Sequence, residues 1–247
     1  MRIVNKFVKV VCGILIFILL WTLGFYIAQK IRIFGKESTD IINPKTQSFE
    51  EIIELSDEIT MEKKLFSFGK HYYILSDGVL VGEVKGKLFP IFGDTLQLKD
   101  IQGNLIKKES QIKRLGLTQV KLFNISINRL AKIEDANGNT TGYIGEQKQN
   151  DFWRLKRVQY FYDENHNKEG RAMPDAILFC KDYKIYDEDD NIDYVIDGNY
   201  FSPTHKYKIK IKDKSDIDVE DAIFYTIIEN SIISSKTKES SSSSNKK

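Results

Sequence analysis

VEDAIFYTIIENSIIS, residues 219–234, decides the fold. Acids gather before and at its start (Asp216, Asp218, Glu220 and Asp221), where the N-terminus of a helix is partially positive. Its middle, AIFYTII (222–228), is apolar almost all round, and a helix without a polar face needs burial on every side. The β-branched content leaves a strand as the alternative. What precedes the segment favours the helix, because an antiparallel meander followed by an all-round apolar helix is what a barrel closed around a helix requires.

That meander is legible from Lys64 onward, where apolar residues recur with period two and turn signals come every ten or so residues. HYYILS (71–76) ends at Asp77-Gly78 and VLVGEVKGK (79–87) returns; TLQLKD (95–100) turns into LIKKESQI (105–112). NISINRLAKIED (124–135) turns at Asn137-Gly138 into TTGYIGEQ (140–147). RLKRVQYFYDE (154–164) leads through a polar loop to AILFCKD (176–182), and KIYDE turns at Asp189-Asp190-Asn191 into DYVID (193–197), before HKYKIKIKD (205–213). Asp-Gly and Asn-Gly suit such hairpins because both tolerate positive φ. Three of the turns echo one another: LKDIQGN (98–104), KIEDANGN (132–139) and KIYDEDDN (184–191) share a strand end, an Asp and a closing Asn. Hairpins resemble each other, and the irregular spacing excludes a solenoid or propeller array.

At the other end of the chain, Val10 to Ala28 reads VVCGILIFILLWTLGFYIA, nineteen residues without a charge. As a helix it spans roughly 28 Å, close to the hydrocarbon thickness of a bilayer. Lys6 and Lys9 bound one end, Lys30 and Arg32 the other, and Tyr26 suits an interface. A cleaved signal would show small residues before its cleavage site, and this run ends GFYIAQK; a lipoprotein signal would show small residues before Cys12, which Val10-Val11 precede. A core helix rarely runs so far without a polar break. The expectation is a single-pass cell-membrane anchor. The basic residues flanking it balance, three with the α-amino group against three, so the positive-inside rule does not decide the side; an extracytoplasmic domain is the working expectation.

The organisation expected is therefore a basic tail (1–9), a transmembrane helix (10–28), a linker (29–59), a β-barrel domain (60–235) and a Ser/Lys-rich tail too polar and simple to fold (236–247). Within the linker, Ser48-Phe-Glu-Glu51 has the form of a capping box, so EEIIELSDEI can open as a short helix. The fold class is mainly β, a closed antiparallel barrel around a C-terminal hydrophobic helix behind one transmembrane helix.

Charge narrows the function classes. The chain is +2 overall, yet residues 1–36 hold six bases and no acid, and residues 236–247 hold four Lys and one Glu, so the residues between carry −7. An acidic domain repels phosphate backbones, which argues against nucleic acid as a partner and against a broad basic face for acidic headgroups. Lys outnumbers Arg 30 to 7, which reads as the coding bias of an AT-rich, bacterial genome. With only Cys12 and Cys180, a disulfide framework is excluded.

This order of parts resembles the tubby C-terminal-like domains, a group that includes plant LURP-one-related proteins and phospholipid scramblases. The likeness covers residues 60–235 and rests on LFSFGKHYYILSDGVLVGEVKGKLF (65–89), TLQLKDIQGNLIKK (95–108), FCKDYKIYDEDDNIDYVIDGN (179–199) and the closing DAIFYTIIENSII. It implies a twelve-stranded antiparallel barrel around a hydrophobic helix. The basic phosphoinositide-binding residues of tubby and the palmitoylated cysteine cluster of scramblases have no counterparts here, so no ligand residue carries over.

No constellation names a reaction. Asp187, Asp189 and Asn191 have the spacing of a calcium loop, but Ile192 and Gly198 stand where Gly and Glu are needed; Asp163, Asn165 and Asn167 fail the same way at Lys168 and Pro174. Solvated hairpin turns account for both. His71, His166 and His205 lack spaced companions for a metal. Cys180 within AILFC reads as a small packed hydrophobe, and the aromatics Tyr160, Phe161 and Tyr162 as packing. A strand end at Trp153-Arg154 could meet a partner. The expectation is no catalytic, cofactor or metal site, and a non-enzymatic interaction or scaffold role with the lipid bilayer, through residues 10–28, and an unidentified protein as partners. The alternative is a lipid-binding or lipid-handling module.

Overall fold

A computed structural model describes residues 2–67, 69–86, 95–111, 120–122, 125–147, 158–174, 182–199, 205–213 and 217–244. Helix α1 (Arg2–Phe34) is followed by α2 (Phe49–Leu55) and then by the strands β1 (Glu58–Lys63), β2 (His71–Ser76), β3 (Val79–Gly86), β4 (Thr95–Asp100) and β5 (Leu105–Gln111). Next come β6 (Val120–Leu122), β7 (Ile125–Asp135), β8 (Thr140–Gln147), β9 (Gln159–Asp163) and β10 (Lys168–Pro174). The last elements are β11 (Tyr183–Asp187), β12 (Ile192–Asn199), β13 (Lys206–Ile211) and α3 (Val219–Ser244).

Every pairing is antiparallel with the next strand in sequence, except that β1 pairs with β13 and β5 with β7. Those two pairings close a ring of twelve strands, with the short β6 added to the lower part of β7. A closed ring has no free edge to protect. Strand direction alternates round the ring, so the tight turns after β2, β4, β7, β9 and β11 all lie at one end, hereafter the turn end. The β1–β2 connection lies at the opposite, anchor end.

The core of the barrel is α3. Ala222, Ile223, Phe224 and Ile227 are 0 % exposed, with Tyr225 wedged against Phe161 and Tyr183 at ring distances of 5.9 and 5.7 Å. Inward residues of the strands, among them Ile74, Leu96, Leu98, Ile185, Ile196 and Ile209, surround it. Each such side chain contributes about 1.5–3 kcal/mol on burial. The helix enters at the turn end, where Lys107 of β5 meets Asp218 and Asp221. It reaches the anchor end at Glu229 and Asn230, which meet Gln159 at 2.5 Å and the Tyr72 hydroxyl at 3.2 Å.

The structure departs from the sequence reading in four places. The capping box forms, with Glu51 N–H donating to Ser48 Oγ and Ser48 N–H to the Glu51 carboxylate. But α2 stops at Leu55 and β1 starts at Glu58, where the sequence reading carried the helix to Ile59. Residues 29–59 are no loose linker either: α1 continues to Phe34, and Ile42, Phe49, Ile52 and Ile53 are buried in the main core. Residues Lys168–Pro174 form β10 where a polar loop was expected, because the ladders of β9 and β11 hold a sequence that alone shows no alternation. Finally, α3 continues to Ser244 through a stretch expected to stay unfolded, since no Gly or Pro interrupts it. The AILFC segment with Cys180, and Trp153-Arg154, lie outside the described residues.

Candidate functional site

Two places on the barrel gather polar chemistry, and one of them is the joint with α1. The last turns of α1 lie along the outside of β1, β2 and β3. Ile33, 0 % exposed, packs on Tyr73, Leu75 and Leu80, the outward residues of β2 and β3, so β2 is buried on both faces. Gln29 donates to Glu62 Oε1 and to the Lys63 carbonyl, both at 2.9 Å, and its own Oε1 accepts from Leu65 N–H at 3.0 Å. Arg32 also pairs with Glu62, whose side chain is only 1 % exposed. At the turn end of the joint, Lys36 donates to the Asp77 carbonyl at 2.6 Å. At the anchor end, Tyr26 and Phe66 stand with ring centres 6.0 Å apart.

Above that pair, Leu19, Thr22, Leu23, Tyr26, Lys64, Leu65 and Phe66 line an open, mainly apolar groove of about 330 Å³. A second, more polar hollow of about 390 Å³ lies across β13, β1 and β2 beside Arg32, between Glu58, Lys206 and Lys208. His71 on the outer face of β2 meets Glu83 at 2.8 Å; burial pushes its imidazole below the usual range, against the opposing pull of that carboxylate.

The other polar place is the entrance of α3. The Lys107 ammonium lies 2.6 Å from Asp218 and 3.0 Å from Asp221. Burial raises the carboxyl of Glu220 to about 7 even though Lys107 opposes it. Glu169 on β10 is likewise raised to about 7, first by burial and then by Asp221 and Asp163. Tyr194 donates its hydroxyl to the Ile217 carbonyl, fixing the segment that leads into the helix.

The acid-rich turns resolve into one structure used four times. In Asp100–Asn104, Asp135–Asn139, Asp163–Asn167 and Asp187–Asn191, the Asn backbone N–H donates to Asp Oδ1 at 2.7–2.8 Å. The Asn amide donates to Oδ2 at 2.7–2.9 Å. The residue before each Asn takes positive φ: Gly103, Gly138, His166 and Asp190. Both oxygens of each Asp therefore serve the turn, which is the local backbone capture that Asp and Asn favour. The echo of three turns seen in the sequence has a fourth member, DENHN (163–167).

The sequence candidates do not converge. His71 lies on β2 at the anchor end, and His166 lies in a turn at the other end, stacked 4.6 Å from the Tyr143 ring. His205 precedes β13. Among the described residues no three His, Cys, Asp or Glu side chains are placed to hold a metal ion. The joint between α1 and the barrel was not foreseen; Gln29 and Glu62 are 33 residues apart, and only the polar Gln just past the apolar run marks it.

No family model matches the chain, and no curated protein matches it. Among solved structures, an X-ray structure of a protein from Arabidopsis thaliana is similar over 78 % of this chain and 97 % of its own, at 13 % identity and a TM-score of 0.41.

Proposed function

We propose that this chain is a single-pass membrane protein whose barrel, of the tubby C-terminal-like kind, is a non-enzymatic interaction or scaffold domain held at the bilayer surface. One observation carries the membrane part. The stretch Val8–Phe34 is long and apolar enough to cross a bilayer, and its most apolar window has no residue buried against the rest of the chain. Leu15, Phe17, Leu19 and Trp21 stand 60–68 % exposed, a cost to solubility that lipid removes. A leader destined for removal gains nothing from the far side of the joint, yet α1 runs unbroken through Ala28 into residues clamped on Glu62. The barrel interior is filled by α3, so a partner is met on the outside surface.

Alkaline carbonate extraction of expressing cells, with mass mapping of the N-terminus, tests the anchor. The chain should stay in the membrane pellet with residues 10–28 intact; a soluble chain beginning after Ala28 would overturn the reading. Crosslinking in detergent extract should then capture a defined protein partner. The lipid-handling reading is favoured by the apolar groove between α1 and Leu65–Phe66. Transfer of labelled phospholipid between leaflets of proteoliposomes decides for it, and leaflet exchange no faster than in empty liposomes decides against it.

A further inference from the structure

We infer that Leu65 and Phe66, in the β1–β2 connection, form a wedge that enters the same leaflet as the C-terminal part of α1, so the barrel meets the membrane at its β1–β2 corner, with the polar extension of α3 past Asn230 outside the hydrocarbon and the turn end facing away. The inference rests on the membrane reading of α1 and adds to it a depth and an orientation for the folded domain.

Position is the first argument. The groove that ends at Leu65 and Phe66 is walled on its other side by Leu19, Thr22, Leu23 and Tyr26, all inside the uncharged run that ends at Ala28. Thr22 to Tyr26 lie about 3–9 Å below the end of that run, at the helical rise of 1.5 Å per residue. Whatever places this run in hydrocarbon places the wedge at its upper margin.

Rigidity is the second. Leu65 N–H is itself a donor to Gln29 Oε1, and Gln29 and Arg32 both grip Glu62 three residues earlier. The wedge cannot rise out of the leaflet without breaking the joint that ties barrel to anchor.

Side-chain chemistry is the third. Phe66 is 66 % exposed and sits at φ 55, a backbone conformation that costs a bulky residue on the order of 1–3 kcal/mol. An exposed ring held at that cost is spent in water and useful in lipid. Beside it stand Tyr26, with Lys30 one turn above and 6.0 Å from its ring, and Lys64, which lines the same groove. Aromatic rings with long cationic side chains just above them are the arrangement that settles at a headgroup boundary. The opposite end of the barrel ends in the Asp–Asn turns, which belong in water.

The test uses the full chain in vesicles of phosphatidylcholine and phosphatidylglycerol, with Cys12 and Cys180 replaced by Ser. Single cysteines Phe17→Cys, Phe66→Cys and Asn137→Cys carry an environment-sensitive fluorophore, and circular dichroism checks that each variant keeps its β spectrum. Quenchers are phospholipids bearing a nitroxide either near the headgroup or near the chain end. Residue 66 should lose most of its emission to the shallow quencher and less to the deep one; residue 17 should show the reverse; residue 137 should respond to neither. A lipid-quenched residue 17 beside a residue 66 quenched only from water overturns the wedge and leaves the anchor standing. A residue 66 shielded from both water and lipid assigns the patch to a protein contact and also overturns it. A water-exposed residue 17 removes the anchor itself. Phe66→Asp, which leaves the barrel core untouched, should abolish protection of the β1–β2 connection from added protease while the chain stays in the vesicle pellet; unchanged protection contradicts the wedge.

Discussion

The molecule contains two helices that are apolar on every side, and it treats them in opposite ways. In α3, Ala222 to Ile227 are 0–1 % exposed. In α1, Leu15 to Trp21 are about half to two-thirds exposed. Their polar groups differ as sharply. The buried helix carries Thr226, Glu229 and Asn230 among its apolar residues, and named groups of the barrel receive the last two. Between Val10 and Leu23 the exposed helix has no charged or carboxamide side chain, and the hydroxyl of its Thr22 donates back to the Leu19 carbonyl of its own helix. A helix in hydrocarbon must satisfy its polar groups internally, whereas one inside a protein can be fitted to partners. Both helices need a non-aqueous surround. The barrel supplies it for one, and nothing among the described residues supplies it for the other.

The contrast breaks most visibly if the same change is made in both helices. Phe224→Asp places an unpaired carboxylate inside the barrel and should cost more than about 4 kcal/mol, enough to remove the cooperative thermal transition. Leu15→Asp should leave that transition in place, as followed by circular dichroism in detergent, and weaken membrane retention by about 2.5–3.5 kcal/mol of insertion free energy. Equal damage to the barrel from both would end the distinction.

Cutting the joint separates the two regions while leaving both folded. Glu62→Ala removes the acceptor shared by Gln29 and Arg32 and should lower barrel stability by about 1–3 kcal/mol, read by denaturant titration. Membrane retention should stay unchanged, and protease should gain access between Gln29 and Leu65.

Acid should sharpen the difference by stabilising the entrance of α3 alone. Glu169 and Glu220 bind protons more tightly folded, with carboxyls at about 7, than unfolded, where 4.5 is ordinary. The folded state therefore holds more protons between those values. Their contribution is fully present below 4.5 and is lost as pH rises through about 7. His71 acts in the opposite sense below its usual 6.5, because its imidazole is held low. Carboxylates held low by hydrogen bonds, such as Glu134 with Lys108 and Lys132, change only below their ordinary 4.5. The clean readout is thus a difference. The melting temperature of Glu169→Gln/Glu220→Gln should exceed that of the parent near neutral pH and above, and the gap should close toward pH 5. A constant gap would remove the two carboxyls as its cause.

The smallest effects belong to the turn end. Asp135→Ala leaves the Asn139 N–H and amide without their acceptor and should cost about 1 kcal/mol in thermal unfolding, with membrane retention unaffected. Ser48→Ala, which removes the cap of α2, should cost a similar or smaller amount, about 0.5–1 kcal/mol.

Much of this is legible in the sequence, because it depends on local pattern. The apolar circumference of 222–228, the period-two runs, the Asp- and Asn-rich turns and the Ser48–Glu51 box are short-range signals, and the hairpins of β2–β3, β4–β5, β7–β8 and β11–β12 follow from the runs and turns. The parts that escaped depend on neighbours distant in sequence. In β10 only Ala172 and Met173 are apolar in KEGRAMP, and Gly170 is there because a Cβ would come within 2.2 Å of the Tyr186 carbonyl oxygen. β1 was masked by the helix signal just before it. The joint of Gln29 with Glu62 and Leu65 leaves no periodic trace, since a single Gln past an apolar run has many ordinary uses.

Photolabelling from within the bilayer measures the contrast most directly. Native membranes holding the full chain are loaded with a phospholipid whose acyl chain bears a diazirine, irradiated, and the labelled peptides are mapped by mass spectrometry. The account predicts adducts across residues 10–28 and none across 222–228. Adducts absent from residues 10–28, or a mature chain that lacks them, would contradict it.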